Sequence, residues 1–593
     1  MSRVLVMGVD ALVLPLVKRF VQEGQLPNFG QILAGGACSY ALPVIPPYTP
    51  TNWATIASGA LPGRHGAGNW NDVTPNDPLE RVPISTFDSR TLHADTLWAA
   101  ASRSGRSSLL ITYPGSYPTS LPGVTVVAPL YRNGLAGHSL ARGGDYWLPL
   151  SDGDQAVFAL ETKERGNLLR PTADGHEEVE QPLPESLPLF TAVRQEAGVR
   201  ILWGSQDLGF AAAGTWSSWA TITWPSGQRA SVRFKVLAME TARVHLLRSE
   251  IYPVDSFTYP PDYARDLFQV VGPFIEHPAT VRRDDDLALT AIFEEIRDQV
   301  DWYGGVVRHA AQHRPWDLAM MHWHWVDTAQ HAFLAGLDPE PGVAPSPRSE
   351  DALRESYRLA DRLLGHMLAI LEPEDHLIVV SDHGCVPNRR IASITRRLVE
   401  QGLVVLKEGG GPRETVDATR SKVLPFSPHE LVVNLAGRNA TGIVPPEEFE
   451  RVRDAAIDAL LDWRDPGNGK RVVGYAFPKE HQALLGYWGD RCGDVMFLFN
   501  SGYSWGTPSE SGSVGRANGI SNHGPQLPTT VTDRSANMAT LIAYGPRIRQ
   551  GYERPYNALG YVSLTDVAPL VAGLLGVETP RDCRGAAPRD FLI

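Results

Sequence analysis

At 593 residues and 64.8 kDa the chain is long enough for several domains and a large core. Hydrophobic residues at 43% and charged residues at 20% exclude disorder as the default state; a net charge of -12, with no Lys/Arg block interleaved with aromatics, excludes a nucleic-acid groove as the main function. The four cysteines, Cys38, Cys385, Cys492 and Cys583, show no C-x-x-C spacing, which excludes a disulfide framework and a thiolate zinc site and points to reduced, buried thiols.

The chain opens directly on an apolar strand, Val4 to Gly8, with no basic leader, and no run of about 20 apolar residues follows, so the expectation is a cytoplasmic protein with no membrane partner. Further short apolar runs read as buried strands: Leu109 to Thr112, Leu318 to His322, Leu377 to Ser381, Val495 to Phe499 and Thr540 to Tyr544. Between them the patterning predicts helices over Leu12 to Glu23, Asp95 to Ser104, Ser349 to Leu371, Pro446 to Trp463 and Thr565 to Leu575. Alternating strands and helices imply an α/β protein with a mostly parallel sheet sandwiched by helices.

Between about Tyr117 and Pro260 the pattern changes to short alternating stretches rich in Gly, Pro and Trp. Thr215 to Trp224, Arg229 to Leu237 and Val244 to Ile251 read as antiparallel strands, with a turn at Pro225-Ser226-Gly227. This divides the chain into a first part of a catalytic core at 1–116, a β-rich insertion or cap at 117–275, and the remainder of the core at 276–593. Gly409 to Pro412 reads as a surface loop.

Seven side chains stand out as donors for two metal sites that share one nucleophile: Asp10, Thr49, Asp327, His331, Asp382, His383 and His523. Asp10 follows the first strand directly, where a carboxylate points into the ligand crevice of an α/β sheet, or caps a helix. Thr49, in Pro47-Tyr48-Thr49-Pro50-Thr51-Asn52-Trp53, is a hydroxyl that metal coordination at a helix N-terminus would activate; Thr51 is its rival, and helix capping is the plainer role. Asp327 and His331 are four apart on one helical face. Ser381-Asp382-His383-Gly384 ends an apolar strand in two adjacent donors, with Gly384 allowing a tight exit. His523 in Asn522-His523-Gly524 is weak taken alone, while His322 and His324 read as structural or supporting residues.

At these residues the chain resembles the alkaline phosphatase superfamily, and within it the type I phosphodiesterase/nucleotide pyrophosphatase branch, since the blocks around Asp10, Thr49 to Gly66, Asp327 and His331, Ser381 to Gly384, and Asn522 to Gly524 occur in order. A second resemblance, at Thr215 to Trp219, Val433 to Arg438, Thr441 to Pro445 and Asp465-Pro466, is to bacterial and archaeal proteins known only as phosphohydrolases or phosphomutases.

The first resemblance implies two divalent ions, Zn2+ or alternatively Mn2+. Asp10, Thr49, Asp382 and His383 would hold one, and Asp327, His331 and His523 the other. It further implies Thr49 as nucleophile, a phosphothreonine intermediate, and Asn52 as the amide that binds a phosphoryl oxygen. The implied reaction is hydrolysis of a phosphodiester or nucleotide-type pyrophosphate in a small phosphorylated substrate. The alternatives are a phosphomonoesterase, a phosphonate hydrolase, a phosphomutase, or a non-catalytic metal-binding protein. Tyr48 and Trp53 beside the nucleophile, with Arg64 as the one nearby cation, lean toward the diester; oligomeric state is not encoded in any feature above.

Overall fold

The computed structural model of the protein describes residues 2–77, 83–130, 139–151, 154–158, 168–171, 178–181, 189–225, 227–340, 342–408, 415–509, 511–528 and 531–593. The expected loop at Gly409 to Pro412, and Ser226 of the expected turn, lie outside the described residues. The chain forms two compact units, one built from 1–124, 130–133 and 316–593, the other from 125–129 and 134–315.

The first unit is an α/β structure whose main sheet is assembled from β1 (Val4–Val9), β2 (Gly36–Leu42), β3 (Ser108–Ile111), β4 (Leu318–Trp323), β5 (His376–Val380) and β6 (Ala539–Tyr544). Their order is β3-β4-β1-β5-β6-β2, with two short strands, Tyr552–Glu553 and Val562–Ser563, added to β2. The pairs β3/β4, β4/β1 and β1/β5 are parallel, whereas β6 runs antiparallel to both β5 and β2. Nearly every residue of β1, β4 and β5 is buried, as strands covered on both faces require. Gly8, in register with His322 and Val380, is needed for packing: a Cβ there would sit 2.5 Å from Met321 O and 2.6 Å from the Trp53 ring.

Because β4, β1 and β5 are parallel neighbours, the residues after Trp323, Val9 and Val380 all emerge at one edge of the sheet, where α/β folds bind ligands. Val495–Phe499 is a buried strand as expected, but it belongs to a separate antiparallel sheet with Val423–Ser427, Glu430–Val433 and Val473–Pro478. An apolar run alone does not reveal which sheet it joins.

The second unit is β-rich. A four-stranded antiparallel sheet runs in the order Gln206–Ala212, Gly198–Trp203, Phe190–Gln195, Gln155–Phe158, with two three-stranded antiparallel sheets beside it in the same unit. Its core contains Phe190, Trp203, Trp224 and Phe234. The stretch expected as one strand from Arg229 to Leu237 divides at Arg233 into Arg229–Val232 and Phe234–Met239. There Ser249 Oγ accepts the Arg233 N–H at 3.0 Å, and the guanidinium packs between the Trp216 and Trp219 rings at 4.4 and 4.6 Å.

The helix Asp286–His313, capped by the Asp285 side chain, is absent from the predicted elements. Glycine has low helix propensity, but Gly305 inside this helix is there for close packing: a Cβ would lie 2.5 Å from Val271. Among the described residues no helix is long and apolar enough to cross a membrane. All four cysteines are free thiols.

Candidate metal centre

Five elements deliver the seven singled-out side chains to one place. Asp10 stands one residue beyond β1, and Ala11 after it takes a left-handed conformation, φ 53°, giving its N–H to Asp382 Oδ1 at 3.3 Å. Asp382 and His383 follow β5. Gly384 must be glycine, because a Cβ would lie 1.9 Å from Ala536 O. Asp327 and His331 lie one turn apart on α1 (Trp325–Leu337), which begins directly after β4. Thr49 is the first residue of the buried helix Thr49–Ser58, and His523 follows the strand Val514–Asn522.

Each of the three carboxylates has one anchored oxygen and one bare one. Asp10 Oδ2 lies 2.9 Å from both His322 Nε2 and His324 Nδ1; Asp382 Oδ1 accepts from Ala11; Asp327 Oδ2 is 3.4 Å from His324 Nε2. The other oxygens, Asp10 Oδ1, Asp382 Oδ2 and Asp327 Oδ1, are buried with no well-formed hydrogen bond. Buried carboxylate oxygens are costly unless something compensates them.

What faces them is imidazole nitrogen. His383 Nε2 is 2.9 Å from Asp382 Oδ2 and 3.6 Å from Asp10 Oδ1; His331 and His523 Nε2 are 3.2 and 3.7 Å from Asp327 Oδ1. In each of these histidines Nδ1 lies on a backbone carbonyl: Gly384 O at 3.0 Å, Ser521 O at 2.6 Å and Pro47 O at 2.8 Å. An Nδ1–H bound that way leaves the Nε2 lone pair directed at the bare oxygens, the tautomer that metal-ligating histidines adopt. Donors around a tetrahedral zinc stand about 3.3–3.6 Å apart, the edge length set by bonds of about 2.0–2.2 Å, and the measured gaps bracket that value.

Three donor sets here have their atoms within 4.8 Å of one another: Asp10, Asp382 and His383; Asp327, His383 and His523; and Asp10 with His322 and His324, both of which lie 2.9 Å from its anchored oxygen. His331 adjoins the second through Asp327, and the His383 and His523 rings stack at 3.6 Å between centroids. The donors fit divalent transition ions by type, spacing and tautomer.

The electrostatics agree. Burial, reinforced by the Asp10 charge, pushes Asp382 up to about 7. Burial opposes protonation of His383, but the Asp382 carboxylate outweighs it and lifts the imidazole to about 9. Burial would raise Asp10 too; His324 and His322 overcome it and hold that carboxyl well below the usual range. The cluster has an excess of negative charge that either protons or cations make up.

Thr49 Oγ1 lies 3.2 Å from His383 Nε2 and the residue is buried, whereas the hydroxyl of its equally buried rival Thr51 makes no well-formed hydrogen bond. Asn52 is fully buried, and its amide is engaged at both ends: Oδ1 accepts from Val44 N–H at 2.8 Å and Nδ2 donates to Tyr48 O at 3.1 Å. Arg64 is elsewhere, on the surface with Asp582 at 2.6 Å. Trp53 is entirely buried against His322, with ring centroids 5.0 Å apart, so it offers no slot to a ligand. His322 and His324 are residues whose spacing alone said little; their geometry shows them orienting Asp10.

The type I phosphodiesterase / nucleotide pyrophosphatase family matches residues 4–526. No curated protein matches the chain by sequence. Among solved structures, murine ectonucleotide pyrophosphatase / phosphodiesterase 5 is similar with 14% identity and a TM-score of 0.46, covering 98% of this chain and 96% of that one. A multiply substituted variant of alkaline phosphatase PafA shows 13% identity and a TM-score of 0.49, over 100% of this chain and 99% of that one.

Proposed function

We propose, for a chain that belongs to the type I phosphodiesterase / nucleotide pyrophosphatase family and is thereby a phosphoric ester hydrolase, that it cleaves a phosphodiester or nucleotide-type pyrophosphate through a phosphothreonine at Thr49. The observation that carries this reading is the convergence of three carbonyl-tethered imidazoles and three bare carboxylate oxygens beside the Thr49 hydroxyl. Asp10, Asp382, His383 and Thr49 would hold one divalent ion and Asp327, His331 and His523 a second, Zn2+ matching the mixed imidazole and carboxylate donors and Mn2+ remaining the alternative. Such ions, when bound, supply Lewis-acid charge to phosphoryl oxygens and lower the pKa of a coordinated hydroxyl.

The protein's own part is positioning. Thr49 stands at the N-terminus of a ten-residue helix, whose dipole favours negative charge on Oγ1 as it attacks phosphorus. The P–O bond to the leaving group breaks as the Oγ1–P bond forms, and water then hydrolyses the phosphothreonine. Asn52 holds the segment before Thr49 through Val44 and Tyr48, leaving one amide N–H for a phosphoryl oxygen. His322 and His324 fix Asp10, so its bare oxygen keeps facing His383.

Turnover of a bis-aryl phosphate set against that of the mono-aryl phosphate tests the substrate class. A clear preference for the bis-aryl compound is expected. A large preference for the mono-aryl compound would overturn the diester reading while leaving phosphoric ester hydrolysis intact.

A further inference from the structure

The β-rich unit contains another group of carboxylate and imidazole donors. Glu250, two residues beyond the strand Arg243–Arg248, is almost wholly buried, and its Oε1 has no well-formed hydrogen bond. His277 Nδ1 lies 3.3 Å from Oε1 and 3.4 Å from Oε2, straddling the carboxylate rather than closing on one oxygen at the 2.7–2.9 Å of a charge-assisted hydrogen bond. Glu276 brings a third donor, and the three ligand atoms lie within 4.8 Å of one another.

The loop that carries Glu276 and His277 is held from both sides. Gln299 Nε2, from the helix Asp286–His313, donates to Ile275 O at 2.7 Å and Glu276 O at 3.2 Å. The Tyr252 hydroxyl accepts the Glu276 N–H at 3.0 Å and donates to His277 O at 3.2 Å. Fixing the backbone in this way preorganises two side chains opposite a buried third.

Two arginines flank the group without closing on Glu250 Oε1 at hydrogen-bond distance. Arg233 is bound to Asp298 at 2.7 Å, and Arg142 stands 4.0 Å from Glu250 Oε1, beyond hydrogen-bond reach. The negative charge also reaches Glu295, which burial, aided by Glu250 and opposed by Arg233, pushes up to about 7. Glu276 and His277 are part-exposed, so an ion can enter from solvent.

We propose that Glu250, Glu276 and His277 form a third divalent-metal site, suited by its one imidazole and two carboxylates to Zn2+ or Mn2+, which clamps the Glu250 turn to the 275–277 loop. The site shares no residue with the hydrolytic cluster, so it stands or falls independently of the reaction proposed above.

The test is crystallisation of the full chain with Mn2+ or Zn2+ and anomalous diffraction at the metal edge. A peak bonded to Glu250, Glu276 and His277 at about 2.0–2.2 Å is expected. Metal content per chain should fall by one equivalent in His277→Gln and in Glu250→Gln, with phosphoester turnover unchanged. No peak at these residues at millimolar metal, or an unchanged metal content in a folded His277→Gln, overturns the site. An Arg142 side chain closed onto Glu250 in the crystal would do the same by showing a plain ion pair. Because Glu250 is buried, circular dichroism of both variants separates lost metal from lost fold.

Discussion

Two charge clusters, one in each unit, bury ionisable groups and compensate them in opposite ways. In the first unit Asp10, Asp327 and Asp382 are met by imidazoles and keep one bare oxygen apiece. In the second the buried groups are Lys235, paired with half-exposed Glu294, and Arg233, paired with exposed Asp298 and, at 3.7 Å, with buried Glu295, its guanidinium pinned between two tryptophans. A guanidinium is a permanent counter-charge, whereas an imidazole yields its place to a metal ion and serves as its ligand. The first arrangement keeps charge exchangeable and suits chemistry; the second locks it and suits architecture. Glu250 with His277, like Asp145 with His245 at 2.6 Å, brings an imidazole to a carboxylate in the second unit as well.

The largest expected effect breaks the first arrangement. Thr49→Ala should lower kcat by roughly 10³-fold or more while the protein still folds and retains metal, as loss of a covalent nucleophile does. Stripping divalent ions with a chelator should abolish turnover, and Zn2+ or Mn2+ should restore it in wild type alone. Full activity of Thr49→Ala, read in the same assay, would move the nucleophile elsewhere.

How far this arrangement was legible differs residue by residue. Asp382 and His383 are adjacent at the end of an apolar run, so strand, exit and donors share one short window. Asp327 and His331 needed only a correct helix start, and α1 begins at Trp325. His523 was obscure because its place depends on the strand Val514–Asn522 pairing antiparallel with Val386–Ala392, a contact between segments far apart in sequence. The tethers on Gly384, Ser521 and Pro47 are backbone carbonyls, which every residue has and no composition reveals. Trp53 and Arg64 misled for a related reason: proximity in sequence to Thr49 placed neither beside it, since one faces the core behind β1 and the other faces water. The α/β pattern was readable because buried parallel strands are continuous apolar runs. The helix Asp286–His313 contains Gly304-Gly305, poor helix formers by propensity, and at Gly305 the missing Cβ serves close packing against Val271.

The next effect in size breaks the locked arrangement. Arg233→Met should destabilise the protein by about 3–5 kcal/mol in denaturant unfolding, the usual cost of removing one partner of a buried pair. The double variant Arg233→Met, Glu295→Gln should recover part of that loss, because the remaining buried charge is gone. A double variant no more stable than the single would mean that the tryptophan stacking, and not the charge, is what Arg233 provides.

Smaller still is a pH effect from the same residue. Glu295 stays protonated in the folded state up to about 7, above the ordinary 4.5 it recovers on unfolding. Between those values the folded state binds the extra proton, so stability falls as pH rises from about 4.5 through about 7 and is level on either side of that window. Glu295→Gln should flatten this slope relative to wild type, measured in chelator to keep metal out of the comparison. Parallel slopes in the two proteins would place the titration elsewhere.

The smallest effect belongs to an ion pair of neither kind. Arg64 and Asp582 meet at 2.6 Å, but the arginine side chain is 56% exposed, and water screens what burial would magnify. Arg64→Ala should therefore change stability by less than about 1 kcal/mol. It should also leave turnover of a phosphoester within about two-fold, since removing a phosphate-binding cation costs far more than that. The second measurement matters because Arg64 lies on the same stretch of chain as Thr49. A ten-fold fall in kcat/KM with stability unchanged would mean that the side chain leaves Asp582 to reach the substrate, and exchangeable counter-charge would then extend beyond imidazole to the one arginine the sequence had pointed to.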